Sequence, residues 1–343
     1  MKKATIQPAC SVIDAHNHLW GRRDFGPLVE IMDACSVESY CELTANLNLE
    51  FKSGGTVFTQ CDIRDFFTAA AAFPGRFYGF TMANFASPID KPLFTDAAEF
   101  VSTACSLLRE HVSLGAKGLK ILKELGLHYR DAAGNLLRTD DERFDPIWAT
   151  AGELGVPVLM HQADPSAFFE PITPQNEHYD SLKKYPAWSF ADTSRFPRKH
   201  ELLERRNNII RRHPKTTFIL PHVANHAENL DEVSRLLEQN ENVYIDFAAR
   251  IDELGRKPQE SREFLTRWQD RTIFGTDMPV SVEIYETYYR FLQTRDENII
   301  PPDYDGTFGR YRWKMTGLGL GESVLEKIYR ENILKIIPTL KQI

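Results

Sequence analysis

The chain has 343 residues, a net charge of −7, 42% hydrophobic and 26% charged residues. That balance supports a sizeable core in a soluble protein and gives no electrostatic reason to expect nucleic acid as a partner. Its five cysteines include no CxxC pair, which points away from a disulfide framework and from a thiolate metal site and fits a reducing cytoplasm. The basic start Met1-Lys2-Lys3 is not followed by an apolar run of signal-peptide length, and no window reaches the length of a membrane span, so no membrane association is expected.

Short apolar runs then recur along the chain. "SVIDAHNH" (11–18) reads as the first strand and an amphipathic stretch near 38–51 as a helix. "GTVFTQCD" (55–62) and "RFYGFTMAN" (76–84) read as the second and third strands, followed by a helix near 95–113. "AKGLKIL" (116–122) reads as the fourth strand and 143–154 as a helix. "VPVLMHQAD" (156–164), "TTFILPHVAN" (216–225), "NVYIDFAAR" (242–250) and "RTIFGTDMP" (271–279) complete the strands, with helical patterns between them. Eight strands, most followed by a helix, with no linker and no break in composition, predict an α/β protein: a (β/α)₈ barrel in one domain, 1–343. A doubly wound sheet could carry as many strands, but no GxGxxG follows the first. Two segments exceed what a barrel needs, a loop at 164–199 rich in Pro and aromatic residues and a C-terminal extension from about 280. The rings Phe168, Phe169, Tyr179, Tyr185, Trp188 and Phe190 argue against disorder in the first, which would pack on the barrel rim, wall a pocket or suit a homodimer. The basic run 195–215 alternates with Leu202, Leu203, Ile209 and Ile210 and reads as the solvated face of a surface helix.

The barrel reading makes a demand on polar residues, because active sites of such barrels lie at the C-terminal ends of the strands. The first strand ends in His16 and His18, which share a face at strand spacing and can chelate a metal. Lys120 lies on the fourth strand, His161 ends the fifth, His222 the sixth and Asp277 the eighth. Each buried polar group needs a partner, and a shared cation supplies one to all of them.

These pieces resemble the amidohydrolase superfamily, in its amidohydrolase-related branch that includes aminocarboxymuconate semialdehyde decarboxylase. The resemblance rests on "DAHNH", "GLKIL", "LMHQAD", "LPHVAN" and "FGTDMP", in family order over residues 14–279. It implies a distorted (β/α)₈ barrel with one divalent metal at its mouth, zinc with manganese as the alternative. His16, His18, His161 and Asp277 match the family's ligands. His222 and Asp277 match its proton-handling residues. Lys120, which in other members is carboxylated to bridge two metals, would here stay cationic and contact substrate, in a set with Arg250 and Trp20.

Three imidazoles and a carboxylate leave a coordination position open, which marks a catalytic site. The expected activity is hydrolysis of a small ester, lactone or amide by a metal-activated water. The alternative is non-oxidative decarboxylation of a small carboxylic acid, with Arg250, Lys120, Arg22 or Arg23 holding the carboxylate. A metal-binding barrel without catalysis is a third reading. Because some decarboxylases of the branch begin with a Glu in place of the first His, His16 leans toward hydrolysis.

Overall fold

Runs such as Phe218-Ile219-Leu220 and Val158-Leu159-Met160 are apolar on both sides, the composition of strands covered on both faces. A computed structural model describes residues 4–52, 55–301 and 312–341. Its strands are β1 (Val12–Asn17), β2 (Val37–Glu42), β3 (Leu47–Lys52), β4 (Gly55–Gln60), β5 (Phe77–Gly79), β6 (Leu119–Ile121), β7 (Val158–Met160), β8 (Phe218–Leu220), β9 (Val243–Asp246) and β10 (Thr272–Ile273). β1, β2 and β5 pair in parallel, as do β6 to β10 in sequence, while β3 and β4 form a separate antiparallel hairpin. Two seams join the parallel groups. At the first, Thr81 N–H donates to the Gly118 carbonyl and Lys120 N–H to that of Thr81, at 2.9 and 2.7 Å. At the second, Ala15 N–H donates to the Phe274 carbonyl and Asp277 N–H to that of His16, at 3.0 and 2.8 Å. The result is a closed barrel of eight parallel strands among the described residues.

The barrel is the predicted one, but its second strand is not. The stretch expected to be helical near 38–51 contains β2, and 55–62 supplies an arm of the hairpin rather than a barrel strand. β2 carries Glu38 and Glu42, which broke the apolar run. Glu42 is buried because its carboxylate accepts the N–H groups of Leu19 and Thr44 and the Thr44 hydroxyl. The helices at Ala97–Leu114 and Asp145–Glu153 fall where expected. The first of these starts at Asp96, whose side chain accepts from the N–H groups of Ala98 and Glu99.

One apolar cluster gathers Ile13, Cys41, Leu159, Ile219 and Ile273 from five strands and closes them with Ile333, Leu334 and Ile337. The C-terminal extension therefore plugs the barrel, although residues 302–311 of it lie outside the described residues. The aromatic loop is ordered over the rim: Phe190 packs with Leu127, Phe196 and Leu202. The basic helix, Lys199–Arg212, is less solvated than its composition implies, since Lys199 and Arg206 are buried. No described helix is long and apolar enough to cross a membrane.

The second seam is tight. A Cβ added at Gly275 would lie 2.5 Å from His16 Cβ and 3.0 Å from its backbone nitrogen. Gly275→Ala should therefore lower stability by about 1–3 kcal/mol, the usual cost of overpacking, as read by denaturant titration. A wild-type midpoint would show that the seam can give way freely.

Candidate metal centre and active site

His16 lies fully buried near the C-terminal end of β1, and its Nδ1 is 2.8 Å from Asp246 Oδ2. That contact fixes the Nδ1–H tautomer and turns the Nε2 lone pair toward the barrel mouth. His18 is held in the same way, with Nδ1 3.1 Å from the Thr44 hydroxyl, which itself donates to buried Glu42. Asp277 follows β10 and brings its two oxygens to 3.7 Å from His16 Nε2 and 3.5 Å from His18 Nε2. The ligand atoms of His16, His18 and Asp277 all lie within 4.8 Å of one another, a spacing that a single cation could bridge.

The other expected residues are placed around this trio. His222 Nε2 is 3.6 Å from Asp277 Oδ2. Its Nδ1 donates to the Ala248 carbonyl at 2.7 Å, so Nε2 is a bare lone pair, buried and without a hydrogen-bond partner among the described residues. His161 packs against His222 with ring centroids 4.5 Å apart, but it stands outside the trio, with Nε2 3.4 Å from Asp164 Oδ1. Asp164 in turn pairs with Lys123. Lys120 is fully buried, with Nζ 3.3 Å from His16 Nε2, and Trp20 stacks on His18 at 4.3 Å; neither lines the cleft beyond. Arg250 does line it.

Burial sets the charge of these groups. It lowers His16, His18 and His222 well below the usual imidazole range, with the Lys120 charge adding to the effect at the first two and His161 at the third. Neutral imidazoles are the form that binds metal. Burial likewise brings Lys120 down to about 8 and raises Asp277 to about 7. The donor set of His16, His18 and Asp277 therefore fits a divalent ion, two neutral nitrogens and a carboxylate, and the buried Nε2 atoms of His161 and His222 beside it have no hydrogen-bond partner among the described residues.

Reaching this geometry strains the backbone. His222, Val223, Ala224 and Asn225 have φ of 60, 55, 54 and 59°, four consecutive non-glycine residues in the left-handed region. At about 1–2 kcal/mol each, the turn costs roughly 4–8 kcal/mol, and Val223 is β-branched, the least suited type. Asp246 offsets part of this by accepting the His222 and Ala248 N–H groups on Oδ1 at 2.9 and 3.0 Å. Sequence reasoning missed Asp246, although it ends the seventh strand as the histidines end theirs. It also missed Asp14, which staples β1 to the far seam through Thr276, Asn17 and Tyr285.

The cleft above the trio has a volume of about 210 Å³. Phe168 and Trp188, nearly parallel with centroids 6.2 Å apart, form one wall, and Arg250, Asp252 and Glu253 another. Asp246→Asn should weaken metal binding by about 10- to 100-fold while the barrel still folds, the usual effect of removing a carboxylate behind a ligating histidine. Competition with a chromogenic chelator measures this, and undiminished affinity would remove Asp246 from the account.

A family model described as Amidohydrolase matches residues 13–338. No curated protein matches the chain. Among solved structures, an uncharacterized TIM-barrel protein from Bordetella bronchiseptica is 16% identical, with a TM-score of 0.53 over 92% of this chain and 83% of that one. A 2,6-dihydroxybenzoate decarboxylase from Rhizobium is 15% identical, with a TM-score of 0.52 over 99% of both chains. A dihydroxybenzoic acid decarboxylase from Polaromonas sp. JS666, solved with manganese and an inhibitor, is 13% identical, with a TM-score of 0.52 over 93% of this chain and 88% of that one. At these identities the likeness is one of fold. With its family model spanning nearly the whole barrel, the chain belongs to the amidohydrolase family.

Proposed function

We propose that the protein is a metal-dependent decarboxylase that removes carbon dioxide, without an oxidant, from a small planar carboxylic acid. One observation carries this reading. The Arg250 guanidinium lines the cleft, is only half-buried, and forms no ion pair among the described residues. Burial lowers its pKa, but the surrounding acids, Glu253 foremost, raise it on balance without forming an ion pair. An unpaired guanidinium over a small aromatic-walled cleft is suited to a carboxylate on a flat molecule. The decarboxylase names of the neighbours agree with this, although their likeness shows the barrel alone.

His16, His18 and Asp277 would hold one divalent cation, with His161 the nearest further imidazole. Mixed imidazole and carboxylate sets accept manganese as well as zinc. When bound, the cation supplies positive charge that polarises a substrate oxygen. Arg250 holds the carboxylate, and Phe168 and Trp188 exclude water from one face of the substrate. The bond to the carboxyl carbon breaks, its electron pair stays on the substrate carbon, and that carbon takes a proton. Asp277 delivers the proton in this reading, and His222, with Nε2 3.6 Å from its Oδ2, exchanges it.

Hydrolysis, the first expectation from the sequence, retains one observation in its favour. The bare His222 Nε2 beside Asp277 could equally take a proton from a water. The product separates the two. Decarboxylation releases carbon dioxide and, in D₂O, places deuterium on carbon, whereas hydrolysis places ¹⁸O from solvent in the product. Arg250→Met should raise KM for the acid by about 10- to 100-fold, the worth of a charge-assisted hydrogen bond. Solvent oxygen in the product, with KM indifferent to Arg250, would replace decarboxylation by hydrolysis. His222→Asn should keep its metal and lose about 10²-fold or more in turnover. Metal lost in step with activity would make His222 a ligand instead.

A further inference from the structure

The left-handed turn at 222–225 needs more support than Asp246 gives it, because Asp246 reaches only its first residue. The far end is held from outside the barrel. Arg206, on the helix Lys199–Arg212, is 3% exposed, and its Nη1 donates to the Ala224 carbonyl. Its Nε and Nη2 both donate to Asn207 Oδ1, at 3.1 and 2.9 Å, which sets the plane of the guanidinium. Among the described residues it has no ion-pair partner, and Glu232 acts on it only at a distance. A buried guanidinium without a carboxylate is costly. Here its compensation is the carbonyl of a residue that lies two positions after His222, in the left-handed region.

We propose that Arg206 is a positioning residue for His222: by clamping the Ala224 carbonyl it holds the left-handed turn, and through the turn it keeps the imidazole Nε2 facing Asp277. Arg206 touches neither the cleft nor the metal trio, so it acts only through the backbone. The inference rests on the reading of His222 as the proton-exchanging residue, and its central readout does not depend on turnover.

That readout is the His222 Nδ1 proton, which donates to the Ala248 carbonyl and should exchange slowly with solvent in the proton NMR spectrum of zinc-loaded, ¹⁵N-histidine-labelled protein. The His16 Nδ1 proton, held by Asp246, is the internal reference. In Arg206→Met the His222 proton should exchange quickly while the His16 proton stays protected and zinc remains bound. Turnover should fall by about 10- to 100-fold, the effect of an ångström-scale misplacement, with KM unchanged. Arg206→Lys, which retains a donor for the carbonyl, should restore most of the protection. Persistence of the His222 signal in Arg206→Met would overturn the proposal. So would parallel loss of both protons, which marks general loosening. If Arg206→Met does not fold, Asn207→Ala, which frees the guanidinium plane, gives the same comparison, and unchanged protection of His222 overturns the proposal there too. If the wild-type protein decarboxylates no acid, the reading of the reaction fails, but the two proton signals still decide the role of Arg206.

Discussion

The arrangement at the barrel mouth hangs on a carboxylate that never meets solvent. Asp246 ends β9 and accepts three donors, His16 Nδ1–H from the first strand and the N–H groups of His222 and Ala248. Burial pushes its pKa up to about 6, and the hydrogen bonds from His222 and Ala248 pull the other way. An ionised carboxylate in such a place is tolerable only because three donors converge on it. The same three contacts set the tautomer of one imidazole and the backbone of another. Two residues 206 positions apart in sequence are thereby referred to one fixed point, and Asp277 completes the group from the neighbouring strand.

The barrel was legible because strands buried on both faces, such as β7 and β8, write themselves as continuous apolar runs. The site was legible because its histidines interrupt those runs at their C-terminal ends, where the fold places chemistry. β2 was not legible for the opposite reason. Glu38 and Glu42 sit inside it, and nothing local reveals that Glu42 is needed to bind the N–H groups of Leu19 and Thr44. Arg206 was hidden by composition: in a run of basic residues it looks solvated, and only the third dimension shows Ala224 beneath it. The turn of His161 Nε2 toward Asp164 likewise depends on a side-chain direction that strand spacing cannot give.

The cleft also has an electrostatic character of its own. Its carboxylates, Asp164, Asp252, Glu253 and Asp277, outnumber its cations, Lys123 and Arg250. Burial and the neighbouring Glu253 hold Asp252 far above the usual carboxylate range, so it stays neutral, while Lys123 and His161 keep Asp164 ionised despite its burial. The protein alone therefore presents an anionic substrate with a chamber whose charges nearly cancel. Two positive charges from a bound cation would tip that balance toward the substrate. In this reading the ion would add to the pull on the substrate carboxylate as well as to its reaction.

The seam between β1 and the segment after β10 ties the two ends of the barrel together. Thr276 and Asp14 share a hydrogen bond across 262 positions of sequence. During synthesis His16 and His18 leave the ribosome early, whereas Asp277 follows on the order of ten seconds to a minute later at ordinary elongation rates. Until then the nascent chain carries two imidazoles with no carboxylate to complete the trio. Any centre built on this trio therefore forms only after the last barrel strand has been made. A product cut short before the eighth strand would carry the two histidines without the carboxylate that faces them.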